Sequence, residues 1–66
     1  MELDNEFMEE LKKMIGKELL IFLKNDFRYK GTLINIIGSF VVISDHKSGQ
    51  NKMISIDKIS EIEYDN

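Results

Sequence analysis

The segment Ser44-Asp45-His46-Lys47-Ser48 gathers the side chains that most often do chemistry: two hydroxyls, a carboxylate and the chain's single histidine. A serine acts as a nucleophile only when a base lies within hydrogen-bond reach of its hydroxyl. Close neighbours on a strand or loop project in different directions, so neither Ser44 nor Ser48 is expected to meet His46. Asp45 and His46 offer two metal ligands, too few for a site. Cysteine is absent, which excludes disulfides and thiolate metal centres together. There is no Gly-rich phosphate loop. The expectation is a binding or assembly protein and not an enzyme, with no metal, no cofactor and no small-molecule substrate.

Such a protein depends on the elements that carry its surface. Phe7, Met8, Leu11, Met14 and Ile15 recur at i, i+1, i+4, i+7 and i+8, one face of a helix over residues 4–15. Asp4 or Asn5 can cap it, Glu6, Glu9 and Glu10 suit its positive end, and Lys12 and Lys13 its negative end. Gly16 is a natural stop. The period then changes to two. Leu19, Ile21 and Leu23 alternate with Leu20 and Phe22, so both faces of this strand are apolar. One face can fill a barrel, and the helix stripe is available to cover the other. Asn25-Asp26 reads as a turn. Phe27–Ile37 reads as a long strand interrupted by Gly31, a bend or bulge of the kind a barrel corner needs. Gly38-Ser39 turns into a third strand, Phe40–Ile43. Residues 45–51 form a polar loop, Lys52–Ile56 a fourth strand and Ile59–Tyr64 a fifth. The predicted fold is mainly β: one domain over residues 1–66, with an N-terminal helix and a strongly bent, five-stranded antiparallel sheet closing into a small barrel over residues 17–64.

A chain of 66 residues buries only about 60% of its unfolded surface. With disulfides and metals set aside, self-association is the remaining stabiliser. The formal charge is −3, which argues against a generally basic nucleic-acid surface. The charge is uneven, however. Residues 1–15 hold five acids and two lysines, residues 61–66 hold three acids, and residues 16–60 hold seven bases against four acids. The acidic start lacks the apolar run of a signal peptide. No stretch approaches the roughly 18 apolar residues of a membrane span. A soluble, cytoplasmic protein with no membrane partner is expected.

A helix followed by five strands is the order of the Sm-like family, which includes the LSm and bacterial Hfq branches, and the chain resembles it over its whole length. Leu19, Ile21 and Leu23 look like the alternating aliphatics of the first Sm motif. Asn25-Asp26 stands at its Asn-Gly or Asp-Gly turn. Tyr29, Gly31 and Leu33 fit the bent second strand, and Phe40–Asp45 resembles the third. Ile54, Ile59 and Ile62 fit the aliphatic positions of the second motif. The RNA signatures differ. Ile37-Gly38-Ser39-Phe40 stands where the family has an Asp followed by Met-Asn. Ser55-Ile56 replaces Arg-Gly or Lys-Gly, and Ser55-Ile56-Asp57 does not match the Tyr-Lys-His of Hfq.

The resemblance implies a homo-oligomeric ring, usually of six or seven subunits, that binds single-stranded RNA through pore-facing loops. On this chain those loops are Gly38-Ser39-Phe40 and Ser55 to Lys58, with Ser55, Asp57 and Lys58 as candidate contacts. Phe40 either stacks on a base there or packs inward as the first residue of its strand, and Lys58 either meets a phosphate or is simply solvated. The alternative is a structural module that assembles without RNA. In both readings the fourth strand of one subunit pairs with the fifth of the next, which makes Met53, Ile54, Ile56, Ile62 and Tyr64 the candidate interface. Those strands carry few charges to blunt an exposed edge.

Overall fold

Glutamates at the start, lysines at the end and one apolar stripe produce α1 (Asn5–Lys13) in the computed structural model, which describes residues 5–65. Asp4, the other candidate cap, lies outside the described residues. The helix ends two residues before Ile15 because its last turn tightens: the amides of Met14 and Ile15 donate to Leu11 and Lys12, three residues back. Gly16 follows with φ +93°, and its amide donates to the Leu33 carbonyl at 2.7 Å. That bond fastens the helix exit to the sheet.

The five strands are β1 (Glu18–Leu23), β2 (Arg28–Ile37), β3 (Phe40–Asp45), β4 (Asn51–Ser55) and β5 (Ile59–Tyr64), with a 3-10 turn at Ile56–Lys58. All pairings are antiparallel, in the order β4-β3-β2-β1-β5. The expected closure into a barrel is not found. β4 and β5 lie at opposite edges with no ladder between them, although only the 3-10 turn separates them in sequence. The chain can pass from one edge to the other in three residues because the sheet curls. β2 is long enough to pair with β1 through its first half and with β3 through its second, and the register slips between Leu33 and Asn35. Gly31 sits at the overlap, opposite both Leu19 and Asp45. A Cβ there would collide with the backbone carbonyl of Ser44, so only glycine lets β2 and β3 approach this closely.

The inner face of the curl buries Leu19, Ile21, Leu33, Val41, Ile43, Ile54 and Ile56, and Leu11 of α1 completes this core. Burying each such side chain contributes about 1.5–3 kcal/mol. The helix was expected to cover the second apolar face of β1, and it does not. Leu11, with Met8 and Met14, packs on the inner face, while Phe7 and Ile15 stay exposed. The outer residues Leu20 and Phe22 are half-buried by register instead. Leu20 lies between Lys30 and Glu63, and Phe22 between Arg28 and Glu61. The aliphatic stems of long charged side chains can shield apolar neighbours while their heads stay in water. Among the described residues, no helix is long and apolar enough to cross a membrane.

Candidate nucleic-acid interface

The sheet brings the two turns proposed for RNA contact together. The carbonyl of Ser39, in the turn from β2 to β3, accepts a hydrogen bond from the Ile56 amide at 2.8 Å. Phe40 pairs with Ser55 across β3 and β4. The Ser55 hydroxyl donates to the Asp57 carboxylate, and Lys58 follows at once. These contacts set Ser39 and Phe40 beside Ser55 and Ile56, with Gly38 adjoining the first turn and Asp57 and Lys58 the second. Gly38 reverses the chain with φ +56°.

A seventh residue joins them that the linear reading overlooked. The amide of Lys24, at the end of β1, donates to the Lys58 carbonyl at 2.9 Å. Both lysines are exposed. Their proximity follows from β1 being paired with β5, which only the strand order reveals. Two residues after Lys24, Asp26 has φ +72°, the left-handed conformation that Asn-Gly and Asp-Gly turns supply. Asp26 and Asp57 stand within two residues of these lysines in sequence, so the formal charges of the two turns cancel.

Phe40 opens β3 but does not pack inward. Strand alternation sends Val41 and Ile43 to the core and leaves Phe40 on the outer face, 40% exposed. Its cross-strand partner on β2 is Ile37, and the next outer pair is Val42 with Met53. Ile37 and Met53 are exposed too, so Phe40 belongs to an apolar patch.

The candidate interface residues divide. Ile54 and Ile56 are only 7% exposed and belong to the chain's own core: alternation along β4 turns Ile54 inward, and Ile56 enters the core as the first residue of the 3-10 turn. Expected at an interface, both side chains lie in the chain's own core. Met53 and Tyr64 are exposed and Ile62 is half-buried, and all three lie on edge strands.

The Ser44–Ser48 segment forms no serine–histidine pair. His46 Nε2 lies 3.4 Å from the Thr32 hydroxyl and 4.0 Å from Glu18 Oε2. Ser48 instead serves Asp45, whose Oδ2 accepts the Ser48 hydroxyl at 2.8 Å and the Ser48 amide at 3.2 Å. Lys52 Nζ lies 3.4 Å from the same oxygen. Asp45 is 5% exposed, the single buried polar or charged side chain among the described residues. The Ser48 hydroxyl holds its carboxyl below the ordinary value; burial opposes this, and the Ser48 amide and Lys52 add to it. Asp45 is thus the organiser of the β3–β4 loop, with its Oδ2 held by Ser48 and Lys52. Among the described residues, no three His, Asp or Glu side chains gather in a way that would hold a metal ion.

No protein-family model matches the chain, and no curated protein matches it.

Proposed function

We propose that this chain is an Sm-like, self-assembling module that forms a ring and binds single-stranded RNA where the turns at residues 38–40 and 55–58 meet. The observation that carries the reading is the Ser39–Ile56 hydrogen bond, which makes one surface of two turns far apart in sequence. One of these turns carries an aromatic ring, Phe40, 40% exposed, and the other carries the exposed Lys58, whose carbonyl accepts the amide of the exposed Lys24. Stacking on an aromatic side chain contributes about 1–3 kcal/mol per base, whatever the base. Lys24 and Lys58 would meet phosphates. One such surface per subunit is modest, and a ring repeats it by symmetry.

Assembly is supported by the two open edges. β4 and β5 each present unpaired backbone groups, and β4 of one subunit can pair with β5 of the next. Such head-to-tail contacts either close into rings or grow into filaments. A ring would satisfy at the edges what the single chain leaves open, and would complete the barrel-like closure between neighbours. Met53 and Tyr64 are the side chains available to such a contact.

A second reading, assembly without RNA, is favoured by the patch of Ile37, Phe40, Val42 and Met53, which suits a protein neighbour better than a phosphate chain. Light scattering combined with fluorescence anisotropy of labelled oligouridine separates the two. The RNA reading expects an oligomer whose affinity falls as salt rises, through counterion release, and falls again on Phe40→Ala and Lys58→Ala. An oligomer that ignores oligouridine at low salt rejects RNA and keeps assembly. A monomer at micromolar concentration rejects the ring.

A further inference from the structure

At the far end of β3 from the two turns, an open groove runs between the turn linking β1 to β2 and the β3–β4 loop. Phe27, Arg28, Tyr29, Lys30, Lys47 and Lys52 line it. Four of the groove's ten lining residues are cations, in a chain whose formal charge is −3. The one carboxylate in the lining, Asp45, is already occupied by Ser48 and Lys52. Lys30 has a partner in Glu18 at 3.6 Å, but both side chains are more than half exposed, and such pairs exchange at little cost. Arg28 and Lys47 are exposed and have no acidic partner among the described residues. Lys52 pairs with Asp45 and Lys30 weakly with Glu18, so the groove's unpaired positive charge lies on Arg28 and Lys47.

Its aromatic content discriminates between anionic ligands. Single-stranded nucleic acid is held by successive free ring faces on which bases stack. Here Tyr29 is half-buried, and Lys52 Nζ covers its ring at 5.1 Å from the centroid. Phe27, 64% exposed, is the one free ring. Leu20 also lines the groove but is half-buried, so several cations around one exposed apolar side chain, Phe27, match a peptide with several carboxylates around a single apolar side chain. The Arg28 guanidinium can take a carboxylate through two parallel hydrogen bonds.

We propose that the groove formed by Phe27, Arg28, Lys30, Lys47 and Lys52 docks an acidic protein segment that carries one large apolar side chain. This surface is separate from the proposed RNA-contact turns and does not depend on them. The test titrates the isotope-labelled full chain with three probes followed by amide chemical shifts. The first is a synthetic heptapeptide of Asp and Glu around a central Phe. The second has Ser in place of that Phe. The third is an oligouridine of equal charge.

The expected result is saturable shifts from the first peptide at residues 27–30 and 45–52, with residues 38–40 and 55–58 undisturbed. Affinity should fall about tenfold or more in the double variant Arg28→Glu, Lys47→Glu, a loss of about 1.4 kcal/mol or more. It should fall severalfold in Phe27→Ala and for the Ser-centred peptide. All three replaced side chains are exposed, so the variants should keep the native spectrum. The proposal is overturned if the Phe-centred peptide causes no shifts at low salt. It is also overturned if the Ser-centred peptide binds equally well, which would mean non-specific attraction of polyanions. Oligouridine shifting the same groove more tightly than the peptide would make it a nucleic-acid site and overturn the proposal as well.

Discussion

At one end of β3 the chain reverses through Gly38-Ser39 and meets the 3-10 turn that follows β4, and backbone bonds from Ile56 to Ser39 and from Lys24 to Lys58 join three segments there. At the other end it passes through a longer loop whose shape depends on one carboxylate, Asp45, reaching Ser48 and Lys52. The first end is organised by main chain, so its side chains remain available, and its two lysines are matched in formal charge by Asp26 and Asp57. The second is organised by a side chain whose charge is paired with Lys52, and Arg28 and Lys47 are left without an acidic partner among the described residues. The same sheet thus produces a nearly neutral surface with an apolar patch and a basic groove with a single exposed ring. Which groups hold the backbone decides which groups are free to bind.

The largest perturbation should strike what both ends share. Leu11→Ala removes the helix's contribution to the core, where Leu11 is 1% exposed, and should cost about 2–5 kcal/mol. Chemical denaturation should show a lower midpoint, with both ends losing amide protection together. An unchanged midpoint would mean that the helix is not part of the core.

Gly31→Ala should separate the ends. The added methyl would press on the Ser44 backbone, and overpacking of this kind costs about 1–3 kcal/mol. Hydrogen exchange should accelerate around residues 44–50 more than around 38–40 and 55–58. Equal acceleration at both would show that the bend holds the sheet as a unit.

Acid should also distinguish them, through Asp45. Its folded value is lowered from 3.8, chiefly by the Ser48 hydroxyl. The stability it contributes is therefore present above about pH 3.8 and is lost as pH falls through the lower folded value. Thermal melts should decline over that acid range, and Asp45→Asn should flatten the decline while lowering stability at neutral pH. The loop amides should respond before those of residues 38–40.

The smallest expected effect has the opposite sign and lies on the β5 edge. A hydrogen bond with Glu61, with burial and the Glu61 charge adding to it, raises the Glu63 carboxyl above 4.5. Its contribution is present below pH 4.5 and is lost as pH rises through the higher folded value. Glu63→Gln should slightly raise the neutral-pH melting temperature and leave the acid limb assigned to Asp45 in place. A melting temperature that falls instead would show that the charged edge is favourable, as in pairing with a neighbour.

Much of the architecture is legible from residue order because it rests on local physics. The stripe of Met8, Leu11 and Met14, the left-handed stop at Gly16, and the change to period two at Leu19 each follow from backbone geometry and short-range solvation. So do the turns at Asn25-Asp26 and Gly38-Ser39, and the fifth strand matches its expected span, Ile59–Tyr64. The 3-10 turn at Ile56–Lys58 was read as the end of one strand and a short break, since a single tightened turn leaves almost no periodic trace.

Local pattern could not say which strands would be neighbours, and every functional feature depends on that. Ile54 and Ile56 stand two apart on an apparently unguarded strand, but the inward curl makes them core, and Met53 alone faces out. Lys24 and Lys58 are remote in sequence and meet because β1 pairs with β5. Arg28, Lys30, Lys47 and Lys52 count as scattered bases until the bend at Gly31 lays the β3–β4 loop beside the start of β2, where the His46 amide donates to the Lys30 carbonyl. Residue type and period specify how each segment presents its side chains. Strand order, register and the sheet's curl decide which segments share a surface, because long-range pairing is selected by burial of the whole core and not by any one segment.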